Sequence, residues 1–531
     1  MPDLEQPSRE ALLGGLDARA EPFDVVVVGG GASGLGVAVD AAARGFSTAL
    51  FEAEDFAKGT SSRATKLVHG GVRYLARGDV SLVREALRER RLLLDNAPHL
   101  VQPLGFVLPA YGMRGRLWDR WFYGAGLMAY DALAGRAGLG RTRLLDAAAT
   151  AELAPGLRTA GLCGGVCYQD AQFDDARLAV ALARTALRLG ACVLNHCRVT
   201  ALVPTGGLHA VEVEDRETGV RRQVRARCVV NAAGVWVDGV RRLEEPQAGD
   251  LVAPSQGAHL VVDREFFPSS RALLVPRTPD GRVMFAVPWL GHVILGTTDT
   301  PRPDTLLEPR PFEAEIDFIL AEAGRHLARA PGRADVRSAW AGLRPLVKPA
   351  RGAGADTQRL SREHVVVVSA QGLVTVTGGK WTTYRAMAED VLAACFSSGL
   401  LPTRPAGVTR TLRLVGAPPA GAVTPPLTAA PGLHLYGSEA GVVQSLPGAD
   451  RELLPGLTEA MVRFAVRAEC ARTVEDVLAR RSRWLFLDAA RAAAAAGPVA
   501  AIMAEELGTS FAASASAAAF ASLARGYRLE Q

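Results

Sequence analysis

The stretch Phe23-Asp24-Val25-Val26-Val27-Val28-Gly29-Gly30-Gly31-Ala32-Ser33-Gly34, continued by Leu35 to Arg44 and by Ser47-Thr48-Ala49-Leu50-Phe51-Glu52, decides the fold. Its first six residues form a short apolar run that ends in glycines, the pattern of a buried parallel strand. A helical pattern follows from about Ala32 to Arg44, and a second strand, Ser47 to Phe51, ends at Glu52. Together they make a β-α-β unit. Gly29, Gly31 and Gly34 hold the spacing of a dinucleotide turn. The first permits the tight bend, the second lets backbone approach a pyrophosphate, and the third lets helix and strand pack closely. The helix N-terminus supplies N–H donors and positive partial charge to phosphates. A carboxylate at Glu52 is placed to accept from ribose hydroxyls. The unit by itself does not choose between NAD and FAD.

Outward from this unit, residues 81 to 95 read as a charged amphipathic helix. Residues 176 to 190 read as another helix, before a strand near Cys192 to Val199. Cys228 to Asn231 is a further buried strand, closed by Ala232-Ala233-Gly234. Between residues 257 and 300 the pattern changes to short alternating runs broken by turns: Ala258 to Val262, Ala272 to Val275, Val283 to Val287 and Val293 to Leu295. Asp280-Gly281 between two of them is a hairpin signal, so this stretch reads as an antiparallel sheet inserted into the parallel one. Buried strands return at Val365 to Ser369 and Leu373 to Thr377, followed by Gly378-Gly379 and a helix from about Trp381. Pro402 to Pro431, rich in Pro, Gly and Ala, reads as a linker. From Thr458 to the end the pattern is helical.

A chain of 531 residues exceeds one ordinary core, so several domains are expected. The net charge of +5 is small for this length and argues against nucleic-acid binding, which needs clustered bases. Only Lys58, Lys66, Lys348 and Lys380 are lysines among 60 basic residues. In so arginine-rich a chain a retained ammonium points to sites where a guanidinium would not serve. The seven cysteines form no C-x-x-C pair, which argues against a zinc site or a disulfide framework and for reduced thiols in a cytosolic compartment. No metal is expected. The N-terminal residues 1–21 form a polar tail without the apolar core of a signal peptide. No apolar run reaches the roughly 20 residues that span a bilayer.

Thr60-Ser61-Ser62-Arg63-Ala64-Thr65-Lys66-Leu67-Val68-His69-Gly70-Gly71-Val72-Arg73-Tyr74-Leu75 resembles the signature of the FAD-dependent glycerol-3-phosphate dehydrogenases. So do Gly296-Thr297-Thr298-Asp299, Ala341 to Leu346 and Gly378 to Arg385, and the segment Arg467 to Arg481 is similar to the family's helical domain. The similarity runs in order over residues 22 to 510. It departs at Trp381, where a smaller aliphatic residue is expected in many relatives. The resemblance implies an α/β protein with three parts: a discontinuous Rossmann-like FAD-binding domain, an antiparallel β-sheet substrate cap and an all-α C-terminal domain. The FAD-binding domain is assigned to 22–110, 162–250 and 345–400, and the cap to 111–161 and 251–344. A linker follows at 401–457, and the helical domain at 458–531.

The implied reaction oxidises sn-glycerol 3-phosphate to dihydroxyacetone phosphate by hydride transfer to FAD, with a membrane quinone as acceptor. Arg73 and Arg344 are the candidate phosphate clamp, because planar guanidinium forks match phosphate oxygens. Tyr74 and Arg362 are further substrate candidates. His69 is the first candidate general base and His259 the second, since imidazole titrates near neutrality. Lys380, at a helix start, is placed to stabilise negative charge developing at the flavin. Ser61, Ser62, Lys66, Leu67, Val199, Ala233, Gly234, Gly379 and Thr382 complete the expected cofactor set with Gly29, Gly31, Gly34 and Glu52.

Residues 112 to 135 interleave Trp118, Trp121, Phe122, Leu127, Met128 and Tyr130 with Arg114, Arg116 and Arg120. Aromatic rings flanked by arginines suit a bilayer interface, and a helix buried against protein has the same pattern. The resulting expectation is a cytoplasmic protein held peripherally on the inner face of the cytoplasmic membrane. A homodimer is left open. Three other readings remain: an oxidase that uses oxygen, another flavin oxidoreductase acting on hydroxy or amino acids, and a flavin-binding protein without turnover.

Overall fold

The computed structural model describes residues 6–71, 79–112, 116–276, 278, 282–348 and 363–529. Arg73, Tyr74, Arg362 and the Asp280-Gly281 turn lie outside them, as do the side chains of residues 116–122.

The strand Phe23–Val28 lies at the centre of a parallel sheet. Its neighbours are Thr48–Phe51 on one side and Arg221–Asn231 on the other; Cys192–Leu194 and Leu373–Gly378 continue the sheet outward, and antiparallel His364–Val368 ends it. An unbroken valine run is what such a position requires, because both faces are covered. Val25 and Val27 pack under the helices Ala32–Ala43, Asp175–Arg188 and Tyr384–Ser397. Val26 and Val28 face the opposite layer, built from the strands Cys197–Thr205 and Leu208–Asp215. Burial of each valine contributes about 1.5 to 3 kcal/mol, so the run fixes the register of the sheet before any ligand enters.

Residues 6–21 are docked, in contrast to the polar tail expected. Ser8 accepts from the Ala11 N–H and starts the helix Arg9–Asp17. Leu16 of that helix is buried, and Arg9 pairs with Asp215 at 2.7 Å. Leu12, Leu13 and Leu16 supply a helical apolar stripe within an otherwise polar composition.

A second sheet runs Thr300–Pro301, Val252–Asp263, His292–Gly296, Met284–Trp289, Ala272–Val275, Val101–Tyr111, Leu162–Phe173 and Leu67–Val68. Ser338–Val347 adds to it along Val252–Asp263. The antiparallel cap strands are all present. Sheet membership cuts across the segment boundaries drawn from the sequence, however. Val101–Tyr111 and Leu162–Phe173 pair with each other along nearly their whole length and belong to this sheet. Ser338–Val347 likewise runs through the boundary at 344/345. Alternation along a strand shows that one face is buried; it does not show which sheet the strand joins.

The stretch 401–457 is packed and does not behave as a loose linker. Leu414, Leu427, Leu435 and Tyr436 are buried. Gln102 accepts from the Leu427 N–H at 2.8 Å, and the Leu427 carbonyl accepts from Leu290 at 2.8 Å. Beyond it lie the C-terminal helices, among them Glu459–Ala468, Ala496–Leu507 and Ala513–Arg525. These helices are joined to the nucleotide half through buried charge. Asp55, at the end of the turn after the second strand, takes both Arg480 and Arg481, with Arg481 Nη2 at 2.9 Å from Oδ1. Arg177 reaches Glu469 at 2.8 Å. None of the described helices is long and apolar enough to cross a membrane.

Candidate functional site

A cavity of about 510 Å³ opens at the carboxyl end of the central strands, where open α/β sheets bind ligands. Gly29, Gly31, Glu52, Ser61, Val199, Ala233, Gly234, Gly379 and Lys380 line it. Gly29 has φ of +111° and a side chain there would strike the Ala232 carbonyl, so the turn needs a glycine. Gly34 lies beneath this turn and does not line the cavity. The helix Ala32–Ala43 starts at the cavity wall, where the Ser61 hydroxyl accepts from the Ala32 N–H at 2.9 Å. Glu52 accepts from the N–H groups of Gly30 and Glu54, at 2.5 and 2.8 Å. Burial raises its carboxyl above the ordinary range even so, with the two N–H groups acting against that rise.

Lys58 is one of the four lysines of this arginine-rich chain. This residue lines the cavity and binds Glu308 at 2.6 Å, with Glu475 as a second partner. Glu308 also accepts from Arg63 at 2.7 Å and from the Tyr527 hydroxyl at 2.9 Å. It anchors the 302–311 loop, whose Leu307 walls the cavity. Trp236, another wall residue, donates to the Thr305 carbonyl of the same loop at 2.8 Å. Trp236 stands two residues after the Ala232-Ala233-Gly234 turn, whereas no short motif surrounds Glu308 and the sequence offered no signal for it.

Towards the second sheet the cavity is bounded by Pro345, Lys380 and Trp381. The Trp381 indole donates to the Ser61 carbonyl at 2.8 Å and meets Phe173 edge-on, so the ring is a fixed part of the wall. Thr382 is buried in the short helix Trp381–Thr383 behind it. Arg344, next to Pro345, donates to the Gln256 carbonyl at 3.1 Å and the Thr298 carbonyl at 2.9 Å, with Asp299 at 3.5 Å. Its side chain is about a quarter exposed (24%). His259 lies on the adjacent strand. Its Nε2 is 2.9 Å from the Thr65 hydroxyl, and its ring stacks on Trp340 at 4.1 Å. Burial, reinforced by Lys66 and Arg344, pushes the His259 imidazole well below its ordinary value. It is therefore neutral at neutral pH.

Besides Gly34 and Thr382, three more of the expected cofactor residues do not line the cavity. Lys66 is fully buried and paired with Asp175 at 2.7 Å; its ammonium faces the interior, away from the cavity. Leu67 is core, in the edge strand Leu67–Val68. Ser62 is buried and offers its carbonyl to Lys66 and Arg483. In each case a partner more than a hundred residues away decides the position. His69, half-buried, follows that edge strand. Among the described residues Asp55, His196 and Asp476 have metal-ligand spacing. Their carboxylates, however, are committed to arginines, Asp476 taking Arg480 at 2.8 Å and His196 at 3.0 Å.

The donor set suits a dinucleotide: backbone at the glycines for the pyrophosphate, a carboxylate at Glu52 for ribose, and an ammonium at the far end for a ring that gains negative charge. Comparison with known proteins agrees. A family profile described as FAD dependent oxidoreductase matches residues 24–385, and one described as the C-terminal domain of alpha-glycerophosphate oxidase matches 407–513. The glycerol-3-phosphate dehydrogenase of Mycobacterium leprae is 41% identical over 509 residues, 92% of this chain and 85% of that protein. The mitochondrial glycerol-3-phosphate dehydrogenase SDP6 of Arabidopsis thaliana is 40% identical over 550 residues, 95% of this chain and 86% of that one. The crystal structure of the Bacillus halodurans glycerol-3-phosphate dehydrogenase complexed with FAD covers 100% of both chains, at a TM-score of 0.78 and 29% identity. The chain belongs to the FAD-dependent glycerol-3-phosphate dehydrogenase family.

Proposed function

We propose that this protein oxidises sn-glycerol 3-phosphate to dihydroxyacetone phosphate and delivers the electrons to a membrane quinone. The observation that carries the reading is the adjacency of Arg344 and Pro345. One residue walls the cofactor cavity, and its neighbour holds a partly exposed guanidinium beside the neutral imidazole of His259. A phosphate held by Arg344, with Arg73 as second arm and Tyr74 and Arg362 as further contacts, sets the substrate's middle carbon towards the cavity. FAD supplies the hydride acceptor there.

The C2 hydroxyl must give up a proton as the hydride leaves. Its acceptor needs a free lone pair at working pH. We take His259 over His69 because it lies on the strand paired with that of Arg344 and its neutral ring keeps a lone pair. Lys380, at the start of the turn into the helix Tyr384–Ser397, is positioned to offset negative charge at the cavity's far end.

The test is anaerobic. Addition of sn-glycerol 3-phosphate should bleach the oxidised flavin absorbance; a flavin that stays oxidised overturns the reading. Re-oxidation should be faster with a soluble quinone than with air. Peroxide release at the same rate would make the protein an oxidase. Quinone reduction also calls for contact with lipid, which we assign to the segment 112–135. Its helix Arg116–Ala134 exposes Met128 while burying Leu127 and Tyr130. Mixing with anionic vesicles should change the Trp118 and Trp121 emission, and unchanged emission would remove this segment from the membrane surface.

A further inference from the structure

Lys66 has no place in the cofactor cavity, yet it is an ammonium buried at 0% exposure in an aromatic box. Its Nζ lies 4.7 Å from the Trp340 ring centre, 5.2 Å from Phe486 and 5.4 Å from Trp289. It donates to Asp175 Oδ2 and to the Ser62 carbonyl, both at 2.7 Å. Arg483 holds the same two acceptors from another side, each at 2.9 Å. Asp175 therefore has a second, permanent cation, which also reaches Asp174 at 3.4 Å. Trp340 is shared, since His259 stacks on that indole. Thr65, bonded to His259, is the residue next to Lys66 in the chain. A cation thus sits one ring away from the imidazole and one residue away from its hydrogen-bond partner.

We propose that Lys66 is a positioning residue for proton abstraction: its charge, acting across Trp340, keeps His259 in the neutral form, and its anchored backbone holds Thr65 against the imidazole. This rests on the reading of His259 as the proton acceptor. The groups facing Lys66 are Asp175, Asp174 at the start of the same helix, and Arg483. Those facing His259 are Lys66 and Arg344. Burial pushes the Lys66 ammonium down to about 7, with Asp175 opposing that fall. The charge therefore builds up as the medium is acidified, where it is needed: as protons become available to His259, Lys66 takes one first and repels the next. An arginine here would hold its charge at every pH, because guanidinium does not titrate in this range, whereas the lysine gains its charge only as the medium is acidified.

Lys66→Met suits the site, because thioether and methylene fill an aromatic box and Arg483 continues to hold Asp175 and Ser62. The readout is the pH profile of anaerobic flavin reduction by sn-glycerol 3-phosphate, measured on protein with FAD bound. In the wild type the acid limb should lie well below pH 6.5. In Lys66→Met it should move up by on the order of one pH unit, with KM nearly unchanged. Lys66→Arg, which keeps a positive charge, should retain the low limb. A Lys66→Met profile that overlays the wild type overturns the proposal, as does an equal shift in both variants, which would signify altered packing. An independent check needs no change at Lys66. The His259 ring carbon resonance, assigned by its loss in His259→Gln, should show no titration between pH 8 and 6 in the wild type; a midpoint near 6.5 sinks the proposal even if neither Lys66 variant folds. Failure of the substrate to bleach the flavin at all would overturn the functional reading instead, and the His259 resonance compared between wild type and Lys66→Met would still report on Lys66.

Discussion

Gly34 lies so close beneath Gly29 that a Cβ on Gly34 would stand 1.9 Å from the Gly29 carbonyl oxygen. The contact is backbone on backbone, so no side chain can swing away to relieve it. Gly34→Ala must push the helix Ala32–Ala43 off the strand Phe23–Val28. Overpacking of this kind costs about 1 to 3 kcal/mol, and the displaced N–H groups are those that face the cavity. We expect Gly34→Ala to retain about tenfold less FAD than the wild type at equal protein, as read by flavin absorbance after gel filtration.

Arg344→Ala should separate substrate from cofactor. The side chain bonds to carbonyls at Gln256 and Thr298, outside the glycine-rich turn, so FAD should stay bound. Loss of a charge-assisted contact costs about 1.5 to 3 kcal/mol, which corresponds to a rise in KM for sn-glycerol 3-phosphate of roughly 10- to 150-fold. A variant that loses flavin instead would place Arg344 in the cofactor site.

Glu308 ties the cavity loop to Lys58, Arg63 and Tyr527. Burial pushes its carboxyl up, but Arg63 and Lys58 outweigh that and hold it at about 2, below the ordinary 4.5. A folded value below the unfolded one stabilises the fold above pH 4.5, and this contribution disappears as pH falls from there through 2. At neutral pH it amounts to about 3 kcal/mol. Glu308→Gln should therefore be less stable than the wild type at pH 7, and the gap should narrow as the medium approaches pH 3. Chemical denaturation at the two pH values tests this.

Asp55→Asn leaves Arg480 and Arg481 without their shared carboxylate in a dry interior. Breaking a buried pair of this kind costs about 3 to 5 kcal/mol. Thermal unfolding should show the variant melting well below the wild type, and limited proteolysis should reach the C-terminal helices first.

How much of this was legible in the sequence depends on the range of the forces involved. The turn at Gly29, Gly31 and Gly34 and the acid at Glu52 are local: spacing and strand pattern fix them, and they stand where expected. The cap strands were also readable, because alternation reports a half-buried face. Lys66 was misplaced because its partners Asp175 and Arg483 lie 109 and 417 positions away; the loop pattern around it carries no trace of them. The strands Val101–Tyr111 and Leu162–Phe173 fall, Tyr111 apart, in segments assigned to the FAD-binding domain, and their pairing with each other was not legible for the same reason, since pairing partners are not encoded in the period. The docked helix Arg9–Asp17 and the packed 401–457 stretch were obscured by composition, where a few well-spaced leucines outweigh many polar or proline residues.

The hydroxyl of Tyr527 reaches back to Glu308, the residue that fastens the cavity loop. During synthesis on the ribosome, every glycine and acid of the nucleotide turn emerges some five hundred residues before that tyrosine. The last clasp on the loop thus closes only after that tyrosine has emerged, and until then Lys58, Arg63 and Trp236 hold the cofactor's doorway without it.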